Sequence, residues 1–230
     1  IQHVRVQAAP TRNEFISGQL LANGRLDFIK ASGTTWSNLF YTTSSATQAC
    51  NTTLGGCNQT FDLAYEQLSG RALMVYNRLD VSYGTLYYRT WDGNATSSES
   101  SFVINASANS NFNWMKLIPK GSRLTDNRSN EMMFLAVDNS SNLYAAYWDG
   151  TQFLASTTLK TSFPTTDGRP FDGAWETLSG DFVAIYGSTT ATTQDIFTRR
   201  IFSGGAWGIA TSTFSMGDAT GPVKPYWVSV

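Results

Sequence analysis

The chain has 230 residues, a formal net charge of −1 and 14% charged residues, while 41% of its residues are hydrophobic and 13% are aromatic. No segment concentrates Lys or Arg, and nucleic-acid binding requires such a positive footprint, so we expect no nucleic-acid partner. No run of about 18 apolar residues exists either, so we expect no membrane span. The length suits one all-β domain with a substantial core.

The first predicted unit comprises residues 1–60 and contains four short apolar or alternating segments. Three of them are residues 3–7, 14–20 and 25–30, and the fourth begins at Trp36. Short segments of this kind, separated by Gly, Asn and Asp turns, are typical of a four-stranded antiparallel meander. We name this unit type B.

The second unit, residues 61–111, introduces a pattern that returns later in the chain. The decapeptide FDLAYEQLSG at residues 61–70 recurs as FDGAWETLSG at residues 171–180, an offset of 110 residues. Residues 171–220 therefore repeat the second unit, which we name type A, whereas residues 112–170 resemble the first unit. The order of the units is B, A, B, A.

Dipeptides that favour positive φ angles separate the predicted strands, as tight hairpins require. They are Asn23-Gly24, Asp92-Gly93, Asp149-Gly150 and Gly204-Gly205. Because a single meander cannot bury both of its faces, adjacent units must pack sheet against sheet, as propeller blades do. We therefore predict one all-β repeat domain over residues 1–230. It is a β-propeller or propeller-like array of about four four-stranded antiparallel blades, followed by one extra C-terminal strand at residues 221–230.

The extra strand resembles the first strand of a further unit, and we predict that Tyr226, Trp227 and Val228 mediate assembly. Three arrangements are open. The strand closes the ring on its own chain, it adds to a sheet of the next molecule and builds a fibre, or the chain is a stretch of a longer array.

Two sequence patterns carry a family resemblance: Phe-Asp-x-Ala-Tyr/Trp-Glu-x-x-Ser-Gly and Leu-x-Tyr-Arg-x-Trp-Asp-Gly. They resemble the tandem repeats of large secreted bacterial surface proteins with propeller-like folds, over nearly the whole chain. The resemblance implies an adhesive or structural role and leaves the ligand open. The chain is also distantly similar to Asp-box and lectin propeller blades, although the Ser-x-Asp-x-Gly-x-x-Trp order of the Asp box is absent.

The cysteines and the Asn-x-Ser/Thr triplets favour an extracellular or cell-surface location. Cys50 and Cys57 enclose a short turn-forming loop, so we predict a local disulfide; two free thiols in a cytosolic protein are the alternative. Their spacing does not match a zinc pair, and His3 is the sole histidine, so we expect no metal. Possible glycosylation sites are Asn51, Asn58, Asn94, Asn105, Asn127 and Asn139.

Catalytic motifs are missing from the sequence. It has no Gly-x-Ser-x-Gly elbow, no P-loop and no dinucleotide fingerprint in a βαβ context, so we expect no catalytic residue, no cofactor and no enzymatic activity. Glu66 and Glu176, with Asp62 and Asp172 nearby, offer the paired carboxylates that a glycoside hydrolase needs. Their recurrence at the same place in both A units favours one structural role used twice.

Arg89 and Arg200 recur in step with Glu66 and Glu176. A Glu–Arg ion pair that bridges strands within each A unit is the structural interpretation, because a charge near a sheet interior needs a partner. The functional alternative is a repeated sugar site, in which Glu and Arg bind hydroxyls and Trp91, Tyr88 or Trp175 stacks on the pyranose face.

The sequence therefore favours an extracellular structural or adhesive β-repeat module that self-associates through edge strands and assembles into a filament. A carbohydrate-binding propeller lectin, with glycans as partners, is the alternative. A glycoside hydrolase is the least favoured hypothesis.

Overall fold

A computed structural model describes residues 1–42, 59–78, 83–105, 111–121, 129–162, 171–188 and 196–215. Every regular element within these ranges is a β-strand. No helix that is long and apolar enough to cross a membrane occurs in this part of the chain. Some predicted residues lie outside the described ranges, and what was predicted for them stays a prediction. They are Cys50, Asn51, Cys57, Asn58, Asn127, Tyr226, Trp227 and Val228.

The strands form four antiparallel sheets, blades I to IV, which follow one another along the chain. Blade I contains β1 (His3–Ala8), β2 (Phe15–Leu20), β3 (Leu26–Ser32) and β4 (Thr35–Tyr41). Blade II contains β5 (Phe61–Tyr65), β6 (Ala72–Tyr76), β7 (Thr85–Trp91) and β8 (Ser100–Val103). Blade III contains β9 (Phe112–Pro119), β10 (Met132–Asp138), β11 (Leu143–Trp148) and β12 (Phe153–Lys160). Blade IV contains β13 (Phe171–Trp175), β14 (Phe182–Ser188), β15 (Ile196–Ser203), β16 (Ala206–Trp207) and β17 (Thr211–Ser215).

Each blade is a meander in which consecutive strands pair. In blade IV the fourth position is divided, because β16 and β17 both pair with β15. This architecture confirms the predicted all-β, propeller-like array of four antiparallel blades. The extra strand predicted at residues 221–230 lies outside the described residues.

The turn between the first two strands explains why Ser-Gly recurs in both A blades. Gly70 and Gly180 have φ angles of 71° and 78°, in the left-handed region that favours glycine. Their N–H groups donate to the carbonyls of Glu66 and Glu176, each at 3.0 Å. A Cβ atom on Gly70 would also collide with the Thr11 side chain of blade I. The turn therefore needs glycine for its own geometry and for the approach of the neighbouring blade.

Three hydrophobic clusters join the blades in sequence, I to II, II to III and III to IV. Strand β10 shows how this works, since all seven of its residues are buried. Met132, Phe134 and Ala136 belong to the cluster with blade II. Met133 and Leu135 belong to the cluster with blade IV. Alternate side chains of one strand therefore supply two separate cores, as the period of a β-strand requires.

Buried ion pairs connect the first strands of neighbouring blades. Arg5 on β1 contacts Asp62 on β5, with Nε and Oδ1 2.7 Å apart, and Lys116 on β9 contacts Asp172 on β13. Both aspartates are 0% exposed. The second oxygen of Asp62 accepts the backbone N–H of Leu117 at 2.8 Å. The repeated Phe-Asp of the A blades thus supplies the carboxylate, and the B blades supply the cation.

Burial makes the charge on Asp62 costly. It raises the pKa of this carboxyl group, while the Arg5 guanidinium and the N–H groups of Leu117 and Leu63 act in the opposite direction. These contacts keep Asp62 within a structural network, so it is not free to act as a hydrolase carboxylate.

Blade I carries exposed apolar side chains. Val4 and Val6 are each 53% exposed, and Trp36 and Tyr41 are 57% and 62% exposed. Among the described residues, none of the three hydrophobic clusters contains side chains from both blade I and blade IV.

Replacing Arg5 with methionine tests the ion pair between the first strands. Arg5→Met leaves a buried carboxylate without its cation, so we expect the free energy of unfolding to fall by about 2–3 kcal/mol. This loss is smaller than for a wholly buried pair because the Arg5 side chain is 35% exposed. The double variant Arg5→Met/Asp62→Asn removes the charge but keeps an acceptor for Leu117, and it should recover at least half of the loss.

Urea denaturation of the three proteins measures these changes. The control is Arg25→Met, because the Arg25–Asp27 pair is more exposed, at 36% and 19%, and its loss should cost about 0–1 kcal/mol. If Arg5→Met and Arg25→Met lowered the free energy of unfolding equally, this would contradict a structural role for the Arg5–Asp62 pair.

Candidate functional site

Each turn between the first and second strands of a blade carries a glutamate: Glu14, Glu66, Glu131 and Glu176. Two of these carboxylates bind the indole N–H of a tryptophan in the next blade. Trp91 of blade II donates to Glu14 at 3.0 Å, and Trp148 of blade III donates to Glu66 at 2.9 Å. These bonds reach across the junction between blades, so we name them glutamate latches.

The ion pair predicted between Glu66 and Arg89 is wrong. The cation at Glu66 is Arg71, with Nη2 and Oε1 2.8 Å apart, because Arg71 belongs to the same turn as the glutamate. The other oxygen of Glu66 accepts the Ser69 hydroxyl. Glu66 is 0% exposed, so a ligand cannot reach its carboxylate, and it is available neither to a ligand nor as a hydrolase carboxylate.

The second A blade does not repeat the cation. Asp181 stands at the position of Arg71, and Glu176 is exposed at its turn. The Glu176 carboxylate accepts the backbone N–H groups of Leu178, at 3.0 Å, and Ser179. Arg200 donates to the Gly208 carbonyl at 3.0 Å. The recurrent glutamate therefore shapes the turn in both blades and forms a latch in one of them.

Glu14 forms the other latch, and it also has three side-chain donors. Its carboxylate accepts bonds from Trp91, from the Tyr65 hydroxyl at 2.9 Å and from Arg12 at 2.9 Å. Burial alone would raise the pKa of Glu14, but the three donors stabilise the charged form and bring the pKa below its ordinary value. Trp91 is therefore a structural donor at this junction.

A cleft opens between blades I and II, at the opposite end of β6 from the Glu66 turn. Its volume is about 180 Å³. We name it the inter-blade cleft, and its lining residues are Phe40, Tyr41, Thr42, Tyr76, Arg78, Arg89 and Glu99. Arg89 is the one residue of this set that the sequence had identified as a possible ligand contact.

Glu99 is held in the cleft by two donors. The Tyr76 hydroxyl donates to Oε2 at 2.6 Å, and Arg78 donates to Oε1 at 2.6 Å. Burial and the bond to Glu99 raise the pKa of Tyr76, so this phenol stays protonated and remains a donor at neutral pH. The carboxylate orientation is therefore fixed from both sides.

Arg89 belongs to β7 of blade II, and its side chain faces blade I across the same cleft. Its guanidinium carbon lies 5.0 Å from the centre of the Phe40 ring, and Nη1 donates to the Ser97 carbonyl at 3.2 Å. The Phe40 ring in turn stacks on Phe28, with centroids 4.8 Å apart. The cleft therefore combines a positioned acceptor, positioned donors and an aromatic ring.

The repeat identifies which cleft residues are specific to this junction. Tyr76 and Arg89 have counterparts in blade IV, Tyr186 and Arg200, but Ser188 replaces Arg78 and Ala210 replaces Glu99. Sequence analysis searched for residues that recur and therefore missed Arg78 and Glu99. The sequence does contain a signal for them, because these two positions differ between the two A blades.

Three of the possible glycosylation sites can be placed. Asn94 and Asn139 are exposed at turns. Asn105 is partly buried, and its side-chain nitrogen donates to the Tyr144 hydroxyl at 3.0 Å. Glycosylation of each asparagine stays a prediction. Across the described ranges no group of three or more His, Cys, Asp or Glu side chains could hold a metal ion.

Comparison with solved structures gives similar propeller-like proteins at low sequence identity. The BP39L lectin of Burkholderia pseudomallei matches with a TM-score of 0.60 and 10% identity, over 91% of this chain and 54% of its own. AofleA of Arthrobotrys oligospora matches at 0.54 and 12%, over 94% and 57%. The Aleuria aurantia lectin, solved with α-methyl-L-fucoside, matches at 0.50 and 14%, over 91% and 58%.

The chain thus spans just over half the length of these proteins, and the likeness supports the propeller-like fold alone. No protein-family model matches the chain. No curated protein is significantly similar to it in sequence.

Exchange of Glu14 for glutamine tests the glutamate latch through its pH dependence. The folded-state pKa of Glu14 is lowered, so its contribution to stability is present above the ordinary glutamate pKa of about 4.3 and is lost as the pH falls through the lower folded value. We expect Glu14→Gln to be less stable than the wild type by about 1–2 kcal/mol at pH 7. The difference in free energy of unfolding between the two proteins should be smaller at pH 3.

Chemical denaturation of both proteins at the two pH values measures this difference. All other carboxyl groups are common to both proteins, so the change in the difference reports Glu14. A difference of the same size at pH 7 and pH 3 would show that the ionised latch does not stabilise this junction.

Proposed function

We propose that the protein is a carbohydrate-binding β-propeller and that the inter-blade cleft holds a sugar. The observation that carries the proposal is the convergence of Glu99, Arg89 and the Phe40 ring on one small cleft. The acid is oriented by Tyr76 and Arg78, so the polar groups are in place before a ligand arrives.

These groups match the chemistry of a pyranose. A sugar hydroxyl donates and accepts hydrogen bonds, so it can bond to the Glu99 carboxylate and to the Arg89 guanidinium together. The C–H groups on one face of the ring form an apolar surface that packs on an aromatic side chain. Phe40 already packs on Phe28 and Arg89. Tyr41, which also lines the cleft and is 62% exposed, is therefore the ring that offers this surface. The cleft, at about 180 Å³, is smaller than the roughly 300–1,000 Å³ of sites for drug-sized ligands. A single sugar residue suits this volume.

The asymmetry of the site supports a functional role. Residues that recur in both A blades serve the turns and the core, as Gly70 and Glu66 do. Arg78 and Glu99 occur at the first B–A junction but not at the second, where Ser188 and Ala210 stand. A residue pair that the scaffold does not require at the second junction is free to serve a ligand at the first.

The similar structures support the same proposal. BP39L and the Aleuria aurantia protein are lectins, and the latter was solved with a bound fucoside. We therefore place the lectin hypothesis ahead of the filament subunit that the sequence favoured. Filament assembly depends on the tail at residues 221–230, which lies outside the described residues. An extracellular location and the absence of enzymatic activity remain part of the proposal.

Titration of the full chain with a panel of methyl glycosides, followed by isothermal calorimetry or ligand-detected NMR, tests the proposal. We expect saturable binding of at least one glycoside, and we expect Glu99→Gln to weaken it at least tenfold, which is about 1.4 kcal/mol. The glutamine keeps the size of the side chain but removes the charge that Tyr76 and Arg78 hold.

The matched control is Glu131→Gln at the junction of blades III and IV. Glu131 is also bonded to a tyrosine hydroxyl, from Tyr147, and to a cation, Lys120, and its side chain is 28% exposed against 25% for Glu99. Binding should be unchanged in this variant. No binding of any glycoside, or equal loss in both variants, would contradict the proposed site.

A further inference from the structure

We propose that the inter-blade cleft selects glycans that carry a carboxylate, such as uronic acids, over their neutral counterparts. This inference rests on the proposed function and adds the class of sugar to it. Its basis is the charge of the cleft and the state of one cation, Arg89.

The charges that line the cleft do not balance. Two guanidinium groups, from Arg78 and Arg89, face one carboxylate, from Glu99. Glu99 already accepts bonds on both oxygens, one from the Arg78 cation and one from the neutral Tyr76 hydroxyl. The Arg78–Glu99 pair is neutral as a unit, so the charge of Arg89 is in excess.

Arg89 has no carboxylate partner among the residues that the structure describes. Its described partners are neutral: the Ser97 carbonyl, the Tyr76 hydroxyl and the face of the Phe40 ring. Its buried Nε atom has no hydrogen-bond acceptor within the described ranges. A partly buried cation with donor capacity to spare favours an anionic partner, because desolvated charges are usually paired.

One further cation that the structure describes beside the cleft does not change this balance. Arg25 lies 4.4 Å from the Tyr41 ring at the edge of the cleft, but it is paired with Asp27 at 2.6 Å. Among the described residues that line or border the cleft, Arg89 is therefore the cation without a carboxylate partner.

A carboxylate is the group that this arrangement fits best. The guanidinium is planar and offers parallel N–H donors, which match the two oxygens of a carboxylate better than a single hydroxyl. The Phe40 ring supports one face of the guanidinium, and the Ser97 carbonyl fixes its edge, so little side-chain order is lost when an anion binds. The carboxylate of a uronic acid would meet Arg89 while the hydroxyls of the same sugar reach Glu99.

Matched pairs of probes test the inference: methyl glucuronide against methyl glucoside, and methyl galacturonide against methyl galactoside. We expect one uronide to bind the full chain about tenfold more tightly than its neutral partner at 50 mM salt. The ratio should fall at 500 mM salt, because ions screen the attraction.

Variants of Arg89 test whether this residue causes the preference for uronides. Arg89→Gln should bring the uronide-to-neutral ratio close to one, and Arg89→Lys should keep part of it, since lysine retains the charge but not the planar group. Arg200→Gln is the control, because Arg200 is the counterpart of Arg89 in blade IV, donates to a carbonyl in the same way and does not line the cleft. The ratio should be unchanged in Arg200→Gln.

The outcomes separate this inference from the proposed function. Neutral glycosides that bind as tightly as uronides, with a dependence on Glu99, would overturn the selectivity and leave the sugar site standing. Binding of neither class would overturn both. A uronide preference that survives Arg89→Gln or disappears in Arg200→Gln would overturn the assignment to Arg89.

Discussion

Each blade has apolar side chains on both faces, so no blade can bury its own core. This constraint governs the architecture, because every interior sheet must lie between two others. Strand β10 shows the result most clearly, because its six consecutive apolar residues, Met132 to Val137, are all buried and are shared between two hydrophobic clusters. The three clusters depend on one another, since each interior sheet contributes to two of them. Apolar burial on this scale is the main favourable term in the stability of such a fold.

Apolar packing does not fix the direction or the spacing of the blades, and the polar contacts between them do. The Arg5–Asp62 and Lys116–Asp172 pairs set the first strands side by side. The latch from Trp148 to Glu66 joins the turn of one blade to the third strand of the next. Each of these bonds has a defined geometry. If the blades shift, the ion pairs leave a buried carboxylate without its cation, and the latch leaves the buried indole N–H of Trp148 without its acceptor. The ion pairs and the latches therefore select one arrangement of the blades among the many that would bury the apolar faces.

The repeat allowed the fold to be predicted, because a recurring pattern of strands and turns reports the blade directly. The same reasoning misassigned Glu66. It assumed that residues which recur together contact each other, whereas the partners of Glu66 are Arg71, which does not recur, and Trp148, 82 residues away in another blade. Residues that contact each other across two blades lie far apart in the sequence, so no short-range pattern predicts their contact. Arg78 and Glu99 were missed for a related reason, since they depart from the repeat, and their significance depends on the neighbouring blade that supplies Phe40.

The alternation of charge along the first strands limits how an array of this kind can change in length. Blades of type B supply the cation and blades of type A the carboxylate, so each B–A pair is neutral at its inner edge. Gain or loss of a whole pair preserves every ion pair. Gain or loss of one blade leaves a buried aspartate or a lysine without its counterpart, which lowers the stability of the array. A change in length by two blades is therefore less costly than a change by one.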